Sequence, residues 1–139
     1  MRRLLLTAGL AVAGLGALTA CSGVPADPID AARDLPDAPA WVMSSSGTDC
    51  GTAEMQGAGP LPAAALRCLR TASDRGDGAT FAWTAATTDG DPVPTFLRTT
   101  AAGVSIASTG AWDSSGASGW SESACTGGLM SVTRSGCGG

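Results

Sequence analysis

The chain has 139 residues and is acidic, with twelve Asp and Glu against eight Arg and a formal net charge of −4. It contains no His, Lys or Tyr. The charge argues against a protein that binds nucleic acid through its phosphates. The missing residue types remove the usual general base, the imidazole metal ligand and the Schiff-base amine, so most familiar hydrolase mechanisms lack a required part.

The N-terminal segment has the organisation of a secretory signal. Two arginines precede an apolar run over residues 4–20, and three glycines interrupt that run, which favours cleavage over a retained membrane span. The run closes on Leu18-Thr19-Ala20-Cys21, which resembles the lipobox of bacterial lipoproteins. The resemblance implies that residues 1–20 are a signal peptide and that Cys21 becomes the first residue, carrying a diacylglycerol and acyl chains such as palmitate.

This anchor predicts where the mature protein is found. Two or more acyl chains hold a protein on a bilayer, so we expect it on the outer face of the cytoplasmic membrane, in contact with the membrane through the lipid on Cys21. Abundant Ala, Gly and Arg without Lys are typical of a GC-rich genome. Together with the lipobox, this bias indicates an actinobacterial cell-envelope lipoprotein.

Residues 21–39 begin at the anchor residue Cys21 and contain four prolines and four aspartates with little to bury. This composition predicts an extended acidic tether, which would reach roughly 55 Å at polyproline spacing. The alternative is that the segment packs on the domain through Ile29 and Leu35.

The next residues predict a strand, a loop and a helix. Residues 40–45 are interpreted as a first strand and residues 48–59 as a loop. A helix opens at Pro60-Leu61-Pro62, since proline suits a first helical turn. Its apolar stripe contains Leu61, Ala65, Cys68 and Ala72 and is expected to face a core.

The remainder of the chain alternates in the manner of strands. Residues 79–87 and 93–99 predict two strands joined by the Asp89-Gly90-Asp91-Pro92 turn, and Val104 with Ile106 predicts a third. Short edge strands are expected over residues 120–125 and 129–133. We therefore predict one α+β domain over residues 40–139, an antiparallel sheet of four to six strands with one helix packed on one face.

Four cysteines remain once Cys21 is assigned to lipid. An even number in a protein sent to an oxidising compartment predicts two disulfides. Three connectivities are open, and the local pairing Cys50–Cys68 with Cys125–Cys137 is preferred. Zinc sites of four cysteines usually contain close pairs, which this chain lacks.

The mature segment also resembles a family of small bacterial surface lipoprotein domains known only as a domain of unknown function. The resemblance rests on an early Cys-Gly, a helix ending in Cys, the Thr-x-Asp-Gly-Asp-Pro turn, an arginine after it, an Asp-containing loop and a closing Cys. These are Cys50-Gly51, Cys68, residues 87–92, Arg98, Asp113 and Cys125. It implies a location and a fold, and it carries no activity and no catalytic residues.

Candidate ligand residues are few, and neither a catalytic residue, a metal nor a cofactor is predicted. Asp89 and Asp91 flank a glycine, which suits a hairpin turn better than a cation site, because calcium needs more oxygen ligands. Trp112 and Trp120 bracket a Gly/Ser-rich loop that can recognise a glycan or a peptide. Trp83 and Trp120 are assigned to the core, and Trp112 is left open between core and surface.

Three functions follow as hypotheses. The first is a non-enzymatic domain that binds or scaffolds an envelope protein or glycan, with Asp89, Asp91, Arg98 and Trp112 as possible ligand-binding residues. The second is an enzyme acting on envelope glycans through paired carboxylates drawn from Asp89, Asp91, Asp113 and Glu122, which would have to converge in one cleft. The third is a small-ligand or cation binder at the Asp89 turn.

Overall fold

The computed structural model describes residues 23–56 and 59–138, which form a sheet with helices packed on both faces. The predicted signal peptide and Cys21 lie outside the described residues. The helices are α1 (Pro28–Arg33), α2 (Ala40–Met43), α3 (Ala63–Asp74) and a 3-10 turn (Gly128–Ser131); the strands are β1 (Thr48–Met55), β2 (Ala79–Ala86), β3 (Pro92–Thr100), β4 (Gly103–Thr109), β5 (Trp120–Cys125), β6 (Val132–Thr133) and β7 (Gly136–Cys137).

The five long strands form one sheet in the order β1-β2-β3-β4-β5, while β6 and β7 pair separately. Strand β1 runs parallel to β2, and the other neighbours in the large sheet are antiparallel. The parallel pair arises because α3 connects β1 to β2, and parallel strands need a crossover of this kind. The α+β prediction is confirmed, with the correction that the sheet is mixed.

The chain before α3 differs from the prediction in two places. Residues 40–45, predicted as a strand, contain the helical turn α2. Its Val42 is buried against the sheet face that carries Phe96 and Ala107, which is named the second face. The predicted loop over residues 48–59 contains β1. This strand lies at the sheet edge with mostly exposed side chains, so no alternation of apolar residues reveals it.

Near the C-terminus, a predicted strand is also replaced by shorter elements. Residues 129–133 were expected to be extended, but Gly128–Ser131 forms a 3-10 turn and only Val132–Thr133 is a strand. That strand turns back on β7 to form a hairpin. The hairpin lies against the end of the main sheet through β5.

Helix α3 covers part of one sheet face with the apolar stripe that its sequence predicts. Its Ala65, Leu69 and Ala72 are buried and pack in one cluster with Phe81 and Trp83 of β2 and with apolar side chains of β3 and β4. Fully burying a leucine side chain contributes about 1.5–3 kcal/mol. This face, named the first face, therefore holds the main core.

Both predicted disulfides form. Cys50 of β1 pairs with Cys68 of α3, and Cys125 of β5 pairs with Cys137 of β7. The first attaches the edge strand to the helix, and the second attaches the C-terminal hairpin to the sheet. The local connectivity preferred from the sequence is confirmed.

The predicted extended tether is wrong from residue 28 onward, because α1 packs on the second face of the sheet. The Asp27 carboxylate accepts hydrogen bonds of 3.0 Å from the backbone N–H groups of Ile29 and Asp30, and Pro28 occupies the first turn. Ile29 and Ala32 then become buried against Ala82, Phe96 and Ala107 of the sheet. The folded domain therefore begins before residue 40.

Candidate functional site

The two predicted turn aspartates take part in a junction between two loops. Asp89 and Asp91 lie between β2 and β3, and the facing loop between β4 and β5 contains Ser114 and Ser115. The Ser114 hydroxyl and backbone N–H donate to Asp91 Oδ2 at 2.6 and 2.8 Å. The Ser115 hydroxyl donates to Asp89 Oδ2 at 2.9 Å. These bonds connect the hairpin turn to the loop.

Asp113 belongs to the same junction and organises the loop from within. Its Oδ1 accepts from the backbone N–H groups of Ser115 and Gly116 at 3.0 and 2.8 Å. A side chain at Gly116 would collide with this carboxylate. Each of the three carboxylates therefore accepts hydrogen bonds from serine or backbone donors within the junction.

The hydrogen bonds from Ser114 change the ionisation of Asp91. Donation by the Ser114 hydroxyl, and secondarily by its backbone N–H, holds the pKa of Asp91 below its ordinary value, with burial opposing the shift. A lowered pKa means that the ionised carboxylate is the form that the loop stabilises. Within the described ranges, no three Cys, Asp or Glu side chains are grouped to hold a metal ion.

Arg98 lies away from this junction, on the second face of the sheet. Its guanidinium stacks on the Trp41 ring, 4.6 Å from the ring centroid, and its Nε is buried with no hydrogen-bond partner among the described residues. The Trp41 indole N–H donates to Glu122 Oε2 at 2.9 Å. Glu122 is therefore bonded to Trp41, and no hydrogen bond among the described residues connects its side chain to the aspartate junction.

Trp112 packs against the second face. It is half-buried beside the cluster that contains Ile29, Phe96 and Ala107. Trp120 packs on the same cluster, with its ring centroid 5.8 Å from that of Phe96. The structure thus brings Asp89 and Asp91 close to the loop that holds Trp112, and it leaves Arg98 elsewhere.

A groove on the first face was not predicted. It lies beyond the part covered by α3 and has a volume of about 360 Å³. Ala85, Val93 and Ile106 form an apolar floor, and the hairpin that contains Arg134 forms one wall. Hydroxyl side chains supply much of the remaining lining: Thr87, Thr95, Ser108, Ser121, Ser123 and Ser135.

Strand register places three of these hydroxyl side chains in a row. Thr95 pairs with Ser108, and Ser108 pairs with Ser121. Because cross-strand partners point to the same face, the three hydroxyls cross three adjacent strands. In each strand the hydroxyl residue alternates with residues of the other face. The sequence does not indicate that α3 leaves this part of the first face uncovered.

The wall of the groove is held by backbone contacts. The indole N–H of buried Trp83 donates to the Arg134 carbonyl at 3.1 Å, and the Arg134 N–H donates to the Gly59 carbonyl at 3.3 Å. The Cys125–Cys137 disulfide attaches the same hairpin to β5. The main chain at Arg134 is therefore fixed independently of its side chain.

Comparisons with known proteins found no relative of this chain. No family model, no curated protein and no solved structure matches it. Among residues 23–56 and 59–138, no helix combines the length and the hydropathy that a membrane crossing requires.

Proposed function

We propose that this protein is a cell-envelope lipoprotein, anchored by lipid on Cys21 to the outer face of the cytoplasmic membrane, whose domain binds a ligand without catalysing a reaction. The groove on the first sheet face is the observation that supports binding. Its volume of about 360 Å³ falls in the range of small-ligand sites, and it combines an apolar floor with a few polar groups.

The composition of the groove favours binding over catalysis. A serine or threonine nucleophile needs an adjacent base, and the described residues that line the groove include neither Asp, Glu, His nor Lys. Cys137 also lines it, but its sulfur is in a disulfide. The groove therefore offers hydrogen bonds, apolar contact and one positive charge.

The anchor is supported by the Leu18-Thr19-Ala20-Cys21 motif, and the domain is proposed to belong with the small lipoprotein domains that it resembles. Two of the features on which that resemblance rests have structural positions in the fold. Cys50 and Cys68 are bonded to each other, and the turn with Asp89 and Asp91 joins two central strands.

Replacement of the lipidated cysteine tests the anchor. We expect the native protein to incorporate a palmitate analogue and to sediment with membranes, whereas Cys21→Ser loses the label and leaves the membrane fraction. Ser22→Ala is the matched control and should keep both properties. Persistent labelling of Cys21→Ser would refute lipidation at this residue.

A further inference from the structure

We infer that the groove binds the free C-terminal carboxylate of a short peptide with small apolar side chains. This inference rests on the proposed function, since it names the ligand class of the same site. Three observations carry it: the charge of the groove, the row of hydroxyls and the nature of its floor.

Charge complementarity favours a carboxylate. Arg134 is the single charged residue in the described lining of the groove, although the chain as a whole has a net charge of −4. Among the described residues, the ion pair found is Arg33 with Asp30, and Arg134 has no such partner. A guanidinium presents paired donors that match the two oxygens of a carboxylate.

The hydroxyl row matches a peptide backbone in length. Thr95, Ser108 and Ser121 lie on three adjacent strands, so the row spans about 10 Å at the usual strand spacing. Three extended residues cover about the same distance. Hydroxyl groups both donate and accept, so Ser108 and Ser121 can pair with the N–H and C=O groups of such a peptide, while Thr95 lies buried at one end of the row.

The floor selects small apolar side chains and disfavours sugars. Ala85, Val93 and Ile106 offer aliphatic contact, and no aromatic ring lines the groove in the described part of the chain. The partly buried indole rings of Trp41 and Trp120 lie on the opposite face of the sheet. A methyl-bearing peptide therefore fits the floor better than a glycan.

Calorimetric titration of the full lipoprotein in detergent micelles tests the inference. The probe is N-acetyl-trialanine with a free carboxylate, compared with its C-terminal amide and with a glucuronate-containing disaccharide. We expect the free acid to bind at least roughly tenfold more tightly than the amide, as loss of one charge-assisted interaction predicts. The disaccharide should bind more weakly than the acid.

Two variants separate the charge from the groove itself. Arg134→Gln should bind acid and amide equally, and its fold should persist because Trp83 contacts the backbone carbonyl of residue 134. Ser108→Phe should fill the groove and weaken both peptides. Arg75→Gln, an exposed position at the end of α3, is the matched control and should behave as the native protein.

The outcomes distinguish the inference from the proposed function. Unchanged preference for the acid in Arg134→Gln, or tighter binding of the disaccharide than of the acid, overturns the peptide carboxylate while leaving a binding domain. Absence of binding by all three probes also overturns the inference. Cleavage of the peptide, detected by mass spectrometry, would instead overturn the proposed non-catalytic function.

Discussion

Side-chain hydrogen bonds connect the aspartates that the sequence singles out to a loop distant in the chain. Asp89 and Asp91 were candidates for a ligand site because they flank a turn glycine. The structure shows that Ser114 and Ser115 donate to them from a loop more than twenty residues later in the chain. These hydrogen bonds hold the hairpin turn against the loop between β4 and β5.

Removal of one donor should change the titration of Asp91. In Ser114→Ala we expect the pKa of Asp91 to rise towards its ordinary value, because the hydroxyl is the largest cause of its lowering. Carbon-13 NMR titration of the side-chain carboxyl measures the shift. Ser118→Ala, exposed in the same loop, is the control, and identical Asp91 titration in both variants would contradict the assignment.

The same shift gives the sign of a pH dependence. A carboxyl whose pKa is lower in the folded state contributes stability above its unfolded-state pKa and loses that contribution as the pH falls through its folded-state pKa. The native protein should therefore lose slightly more stability on acidification than Ser114→Ala. The contribution is small because the junction is exposed to solvent.

Helix α1 is the element whose existence depends most on tertiary contacts. Six residues are too few for a stable isolated helix. The Asp27 cap and the Arg33 to Asp30 ion pair of 2.9 Å assist it, and burial of Ile29 and Ala32 on the sheet holds it. The segment between anchor and sheet is thus part of the domain.

Truncation of the buried isoleucine tests this packing. Ile29→Ala should lower the free energy of unfolding by about 2 kcal/mol or more, the usual cost of removing a buried isoleucine side chain. Val24, which is 57% exposed, supplies the control, and Val24→Ala should leave stability nearly unchanged. Equal urea midpoints for the two variants would show that α1 does not pack on the sheet in solution.

Across the whole molecule, the disulfides compensate for a core with few large side chains. The fully buried large side chains of the described residues include Trp83, Leu69 and Leu97, but many other core positions are alanines. The two bridges close loops with sequence separations of 18 and 12 residues. They restrict the unfolded chain at the edge strand and at the C-terminal hairpin.

Loss of either bridge should be costly. The double variant Cys50→Ala with Cys68→Ala is expected to lose about 3 kcal/mol of unfolding free energy, and Cys125→Ala with Cys137→Ala about the same. Urea denaturation monitored by tryptophan fluorescence provides the measurement. Ser44→Ala, at an exposed site, is the control; a bridge variant as stable as this control would contradict a stabilising role.

The packed α1 also changes the position expected for the anchored domain. Residues 22–27 lie between the proposed lipid and α1, and six residues reach at most about 20 Å when extended. The tether expected from the sequence was far longer. If Cys21 is lipidated, the domain is held close to the bilayer surface.

Elements with a clear apolar period were predictable, and elements without one were not. Helix α3 and strands β2 and β3 follow from their patterns, because one face of each must be buried. Strand β1 is an exposed edge, and α2 is a single turn, so neither has a period long enough to identify it. The groove was missed because it depends on which part of a sheet face α3 leaves uncovered.

By itself, the sequence determined the signal-like N-terminus, the acidic charge, the main helix and strands, and an even set of cysteines beyond Cys21. These features depend on composition and on local periodicity. Only the tertiary structure decided the cysteine pairing, the parallel pairing of β1 with β2, the burial of α1, the separation of Arg98 from the aspartates and the groove beside Arg134. Each of these depends on contacts between residues distant in sequence, which local patterns do not specify.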